Sequence, residues 1–252
     1  MYQDCKSNRE SPVILITGGA KRIGAYIVKS LHQNGYRVII HYCYAEEAAK
    51  NLCHSLNALK PNSAAIFQAD FNDFSQIDEC IRFAQTVWQR LDGVINNGSS
   101  FFPTRVGETS LADWQQLMNS NLMAPYFLIQ AAIPSLLKSP LSQVINIIDI
   151  HGERPLKDFA VYSIAKAGLV MLTKSLAKEL GPKIRVNGIS PGITLWPEKQ
   201  KLSLEEKKAL IERAVLKRLT RLEDISETVL YLFRQFSMTG EILHLDCGRL
   251  LK

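Results

Sequence analysis

Short apolar runs alternate with longer stretches of helical spacing along almost the whole chain. Residues 12–16, PVILI, form a continuous apolar run of the kind buried on both faces of a parallel sheet. After a glycine-containing turn, AYIVKSLHQNGYRV repeats its apolar positions with helical period and stops at Gly35, and Arg37–His41 reads as the next strand. The same alternation predicts strands at Ala64–Gln68, Gly93–Asn96, Gln143–Ile148, Arg185–Ile189 and Glu241–Leu245. Helices are expected over Glu46–Leu59, Phe74–Arg90, Leu111–Leu137 (kinked or broken near Pro125 and Pro134) and Phe159–Leu180. This order predicts an α/β chain: a doubly wound parallel sheet flanked by helices, with its site at the carboxyl ends of the strands. No repeat or low-complexity linker interrupts it, so a single domain over residues 12–252 is expected behind a polar, frayed segment 1–11.

Composition narrows the class. A chain of 252 residues can bury about three-quarters of its unfolded surface, enough for one large core. The net charge is +6 and the pI about 9.0. Much of the positive charge lies between Lys199 and Arg221, interleaved with Glu198, Glu205, Glu206 and Glu212. That mixture reads as a solvated helix surface rather than a nucleic-acid stripe, although a modest positive field attracts an anionic dinucleotide. Cys5, Cys43, Cys53, Cys80 and Cys247 are scattered and odd in number, which suits reduced thiols in a cytoplasmic protein. The five histidines show no zinc-like grouping, so no metal is expected. Neither a basic-apolar N-terminal signal nor an apolar run near membrane-spanning length is visible, so no membrane is expected either.

Two stretches carry candidate chemistry. Tyr162 and Lys166 stand four residues apart in VYSIAKAGL, which puts both on one face of a helix, and Asp149 lies 13 residues before the tyrosine. An ammonium beside a phenol is expected to lower the phenol's pKa and prepare Tyr162 to donate a proton and recover it. The second stretch is TGGAKRIG, Thr17 to Gly24, between the first strand and the first helix. A strand, a glycine turn and a helix N-terminus together receive phosphates. Gly18 suits the tight turn and Gly24 a close approach, whereas Arg22 stands where many dinucleotide loops carry a glycine.

In order and spacing, TGxxxRxG, NNGSS (Asn96 to Ser100) and YxxxK resemble the short-chain dehydrogenase/reductase family, from Pro12 to about Gly248. Asp70 in QADFND, Asn121 in NSNLMAP, the stretch IRVNGISPG and the late LDCGR match as well. The fold implied is a Rossmann-type sheet. Within the family the chain looks most like the pteridine reductases and dihydromonapterin reductases. Asp149 takes the position where most members have a catalytic serine, Arg22 replaces the middle glycine, and NNGSSFFPT resembles NNASSFYPT. Gly98 replaces the alanine there.

The resemblance implies roles for particular residues. Arg22 would reach cofactor phosphate and substrate, Ser99 cofactor phosphate and pterin, and Phe101 would stack on the pterin. Tyr162, tuned by Lys166 and paired with Asp149, would be the proton donor or the entry point for a water-fed proton relay. Lys166 would also hold the nicotinamide ribose, and Asn121 would help maintain the relay. Matching positions extend the cofactor site to Gly18, Lys21, Ile23, Gly24, Asp70, Asn97, Pro191, Gly192 and Thr194. Thr194 to Arg218 is the expected substrate lid, where Trp196 lines the pterin pocket or serves as a core or interface residue. The helices around Leu111–Leu137 and Phe159–Leu180 would join a homotetramer.

NADPH is the expected cofactor, because the second strand ends IIHYCYAEE with no carboxylate at its immediate end, and Lys21 and Arg22 add positive charge. Pteridine reductases often read HYxRS here, whereas this chain has Tyr44 and Ala45; His41 and Lys21 either take over the missing phosphate contacts or are simply solvated. The expected reaction is hydride transfer to a dihydropterin or dihydrofolate, with a proton delivered to the adjacent ring nitrogen. An ionised Asp149 only accepts hydrogen bonds, which argues against ordinary ketone reduction and suits a C=N bond. Two rivals remain: a generic carbonyl reductase acting on a 3-oxoacyl thioester or quinone, and a regulator that binds NADPH without turnover.

Overall fold

The computed structural model describes residues 11–196 and 202–252. Residues 1–10, most of the expected N-terminal segment, and 197–201, within the expected lid, lie outside the described residues. Seven strands form one fully parallel sheet: β1 (Val13–Ile16), β2 (Arg37–Tyr42), β3 (Ala64–Gln68), β4 (Gly93–Asn96), β5 (Gln143–Ile147), β6 (Arg185–Pro191) and β7 (Ile242–Leu245). Their order is β3-β2-β1-β4-β5-β6-β7, so the chain reverses direction across the sheet between β1 and β4. A crevice opens at such a reversal, beyond the carboxyl ends of the strands.

Both faces of the sheet are covered. Along β1, Ile14 and Ile16 point into one apolar layer and Val13 and Leu15 into the other, all fully buried. The first layer holds α1 (Arg22–Gln33) and α8 (Leu222–Arg234), which pack against one another. The second holds α3 (Ser75–Trp88), α5 (Ala124–Leu136) and α6 (Ala160–Leu180). Burial on both faces is why β1 reads as a continuous apolar run instead of an alternating one.

Four local differences from the sequence expectations have physical causes. The expected long helix over Leu111–Leu137 is divided into α4 (Leu111–Met118), a π-turn (Asn119–Met123) and α5. Pro125 has no N–H to bond the Asn121 carbonyl, and the chain widens in the turn just before it. Pro134, by contrast, is accommodated inside α5. The lid region contains α7 (Leu204–Glu212), which starts at a capping box between Ser203 and Glu206. α8 was not expected, although Leu222, Ile225, Val229 and Leu232 repeat at helical spacing. Finally, α6 reaches the length and composition of a membrane span, which corrects the expectation that no stretch approaches it. Here it lies against the sheet with Lys166 and Thr173 buried and hydrogen-bonded.

Candidate active site

The phosphate-binding end is built by close backbone approach. Thr17 follows β1, and its hydroxyl accepts from the N–H groups of Asn97 (2.9 Å) and Gly98 (2.8 Å) beyond β4. The Asn97 amide donates back to the carbonyls of Thr17 and Gly18, at 2.9 and 3.1 Å. Asn97, expected to touch cofactor, thus serves as a strut between the two loops, and Thr17 is a partner that its place in TGGA could have revealed. Gly18 has φ +59, and a Cβ on Gly24 would lie 2.2 Å from the Gly18 carbonyl oxygen. Neither position accepts a side chain without moving backbone.

Arg22 occupies the left-handed region with φ +53, a conformation that favours glycine and costs an arginine about 1–2 kcal/mol. Lys21 and Arg22 are both exposed, Ile23 packs against the core, and the Arg22 guanidinium lies 3.4 Å from the Trp196 carbonyl. The Trp196 ring in turn lies under the Lys207 ammonium at 5.7 Å. This brings the phosphate loop, the start of the lid and α7 together.

A cleft of about 260 Å³ continues from Gly18 past His41, Tyr44 and Asp70 to Ser99. The Asp70 carboxylate accepts from Asn72 and, at 3.4 Å, from the exposed Tyr44 hydroxyl. His41 does not supply a cation to this cleft, which corrects one option left by the sequence. It is buried, and desolvation pulls its pKa down to about 4, so the ring is neutral at physiological pH. A larger cavity, about 560 Å³, lies apart from these residues between α8 and β7.

The expected catalytic residues converge at the ends of β5 and β6. Tyr162, in the first turn of α6, is 4% exposed and donates to Asp149 Oδ2 at 2.8 Å. Asp149 Oδ1 accepts from the His151 N–H, which fixes the carboxylate at the start of a short 3-10 turn. Burial and then the Asp149 charge push the Tyr162 phenol well above its ordinary pKa. Burial and the Asp149 charge thus prevail over the neighbouring Lys166 ammonium, and the expectation of a lowered phenol is corrected. The Lys166 ammonium donates to the Ile147 carbonyl at 3.1 Å, 5.7 Å from the tyrosine ring, and burial draws its own pKa down to about 8. The carboxylate beside the phenol outweighs the more distant ammonium.

Asn121 stands in the π-turn, buried, and organises the opposite wall. Its amide donates to the carbonyls of Leu117 and Ser100, and its oxygen accepts from the Ser99 hydroxyl at 2.6 Å. Phe101 is half exposed, stacked on Phe159 at 4.5 Å and edge-on to Tyr162 at 4.8 Å. Phe159 was missed from the sequence, though it sits three residues before the tyrosine. Pro191 ends β6, Gly192 donates to the Leu245 carbonyl at 3.0 Å, and the partly exposed Thr194 follows two residues later.

A parallel sheet opening at its switch point into a glycine-walled cleft, with a phenol–carboxylate pair beside it, is the frame of a nicotinamide-dependent oxidoreductase. Residues 18–249 match the family described as Enoyl-(Acyl carrier protein) reductase. The chain belongs to the short-chain dehydrogenase/reductase family, whose members use a nicotinamide cofactor. Pteridine reductase 1 of Leishmania tarentolae is 32% identical, over 94% of this chain and 96% of the relative. A 3-oxoacyl-(acyl-carrier-protein) reductase of Staphylococcus aureus is 29% identical, over 93% and 96%. A putative ketoacyl reductase of the granaticin polyketide synthase from Streptomyces violaceoruber is 28% identical, over 95% and 96%.

The residues present fit the nicotinamide dinucleotide. The tight turn at Gly18 and the close packing of Gly24 on it bring the N-terminus of α1 to the end of β1, the setting that receives a phosphate, and Lys21 and Arg22 bring cations to that end. Arg22→Gly separates the two properties of position 22. Thermal stability is expected to stay within about 1 kcal/mol, because glycine relieves the left-handed strain, while dinucleotide affinity falls about tenfold with loss of the guanidinium. A thermal melt and a fluorescence titration check this; unchanged affinity would remove the guanidinium from the binding site.

Proposed function

We propose that the chain is an NADPH-dependent pteridine reductase that reduces 7,8-dihydropterins or dihydrofolate to their tetrahydro forms. The observation that carries this proposal is the Tyr162–Asp149 hydrogen bond of 2.8 Å directly beside the half-exposed Phe101 ring. A flat aromatic face next to a proton-holding pair suits a flat heterocycle whose ring nitrogen must gain a proton. Supporting it, Asp149 accepts both of its described hydrogen bonds and so offers no hydroxyl to polarise a ketone. The likeness to a pteridine reductase over nearly the whole chain points the same way.

A reduced nicotinamide, when bound, would supply a hydride for the carbon of the C=N bond, and this chain's own residues handle the accompanying proton. Phe101, backed by Phe159, holds the ring plane, and Ser99, fixed by Asn121, borders it. Tyr162 donates toward Asp149, so phenol and carboxylate together hold the proton that passes to the substrate nitrogen and is replaced from solvent. The buried Lys166 ammonium, one turn after Tyr162 and bonded to the Ile147 carbonyl, would donate to the hydroxyls of the ribose. The NADPH preference rests on Lys21 and Arg22 and on the lack of a carboxylate at the end of β2.

The test follows NADPH absorbance with dihydrobiopterin, dihydromonapterin, dihydrofolate and a 3-oxoacyl thioester. At least one dihydropterin or dihydrofolate is expected to exceed the thioester in kcat/KM by about a hundredfold, the scale of a lost aromatic stack and an unpaired polar group together. NADPH is expected to exceed NADH. Turnover of the thioester alone would make the chain a carbonyl reductase, and tight NADPH binding without any turnover would make it a regulator.

A further inference from the structure

We propose that His41 is a positioning residue for the adenosine-phosphate half of the dinucleotide: its ring bridges the glycine loop after β1 and the turn after β3 and sets their spacing. The ring stands where β2 ends, between the two segments it joins. On one side the Gly18 N–H donates to Nδ1 at 3.2 Å. On the other, Nε2 lies 3.1 Å from the Ala69 carbonyl. A ring whose Nδ1 accepts and whose Nε2 faces a carbonyl has only one consistent form, the neutral Nε2–H tautomer. The imidazole also lies flat on Phe71, with centroids 4.0 Å apart and planes 5° apart.

Every segment touched by the ring borders the cleft: Gly18, Ala69, Asp70 and Phe71 all line it. Backbone bonds repeat the bridge at a coarser level. Gly19 donates to the His41 carbonyl at 2.9 Å, and Ala69 donates to that of Tyr42 at 3.0 Å. The side chain adds what strand pairing cannot, an acceptor for the N–H of a residue held at φ +59 and a donor for a carbonyl beyond the strand end. An apolar ring of equal size would leave both backbone groups without these partners. The bridge concerns the dinucleotide of the family and holds whichever substrate the enzyme reduces.

Two variants and one spectroscopic measurement test it. His41→Phe keeps the ring stack and removes both nitrogens; His41→Gln restores one acceptor and one donor. Affinity for ADP-ribose, which lacks the nicotinamide, is measured by calorimetry, and affinity for NADPH by fluorescence. The phenylalanine variant is expected to lose about tenfold in both, with kcat at saturating cofactor within about twofold, and the glutamine variant to recover most of the loss. ADP-ribose affinity unchanged in His41→Phe overturns the proposal, as does a kcat loss with binding intact. Nitrogen-15 spectra of the wild-type ring need no variant to fold. A neutral Nε2–H ring at pH 6 whose Nδ1 signal shifts on adding ADP-ribose is expected; a protonated or Nδ1–H ring overturns the bridge.

Discussion

Replacing Tyr162 with phenylalanine is expected to lower kcat for dihydropterin reduction about a thousandfold while NADPH affinity stays within about threefold. The loss corresponds to about 4 kcal/mol of transition-state stabilisation, within the range for a positioned proton donor. Phenylalanine retains the ring against Phe101 and removes only the hydroxyl that reaches Asp149. Asp149→Asn is expected to cost a similar factor by a different route. An amide fills the same space but can neither hold nor pass on the proton, and loss of the charge lets the Tyr162 pKa fall. Steady-state kinetics with a parallel fluorescence titration read both variants. Turnover near that of the wild type in either would mean that the proton comes from elsewhere.

Lys166, one turn after Tyr162, sets a pH limb. Burial holds Lys166 at about 8, so its ammonium is present below that pH and lost above it. Because kcat/KM reports the free enzyme, it is expected to decline above about pH 8. The direction follows from the charge: a depressed lysine pKa brings deprotonation into the working range, and the lost cation no longer faces the ribose.

Gly24→Ala is expected to destabilise the protein by about 3 kcal/mol or more and to abolish dinucleotide binding. The new methyl would lie 2.2 Å from the Gly18 carbonyl oxygen, 2.7 Å from the Asn97 amide and 2.9 Å from the Gly19 Cα. The neighbours have little freedom to yield, since the Asn97 amide is tied to the Thr17 and Gly18 carbonyls. Overpacking against fixed backbone costs at least as much as overpacking in an apolar core. In a chain of this size that is roughly 6–12 °C in melting temperature. A melt and a binding titration indistinguishable from wild type would refute the close approach. Alanine at Gly35 is a useful contrast, because no atom lies within 4 Å of its Cβ position and only its φ of +88 resists the change.

Most of the sheet could be read from the chain because its causes are local. β3, β4 and α2 (Glu46–Leu59) coincide with the apolar runs that predict them, and the other strands differ by one or two residues at an end. α8 carries a plain helical period in Leu222, Ile225, Val229 and Leu232, and the start of α7 is written in the Ser203–Glu206 spacing. The π-turn at Asn121 is less legible. Proline at 125 signals an interruption, but whether the helix kinks, ends or widens depends on what packs around it.

The amino-acid sequence by itself determined the order of strands and helices, the glycines at the phosphate loop, and the spacing of Asp149, Tyr162 and Lys166. Apolar period and covalent chain geometry act over a few residues, so they are written in the order of the side chains. The tertiary structure decided that His41 is neutral and joins two loops, that Tyr162 donates to Asp149 instead of being tuned by Lys166, and that Arg22 takes a glycine's backbone conformation. These depend on desolvation and on partners far away in the chain, from Gly18 against His41 to Asp149 against Tyr162. Protonation and hydrogen-bond direction are set by that enclosure, which exists only once the sheet and its two helical layers have closed around the site.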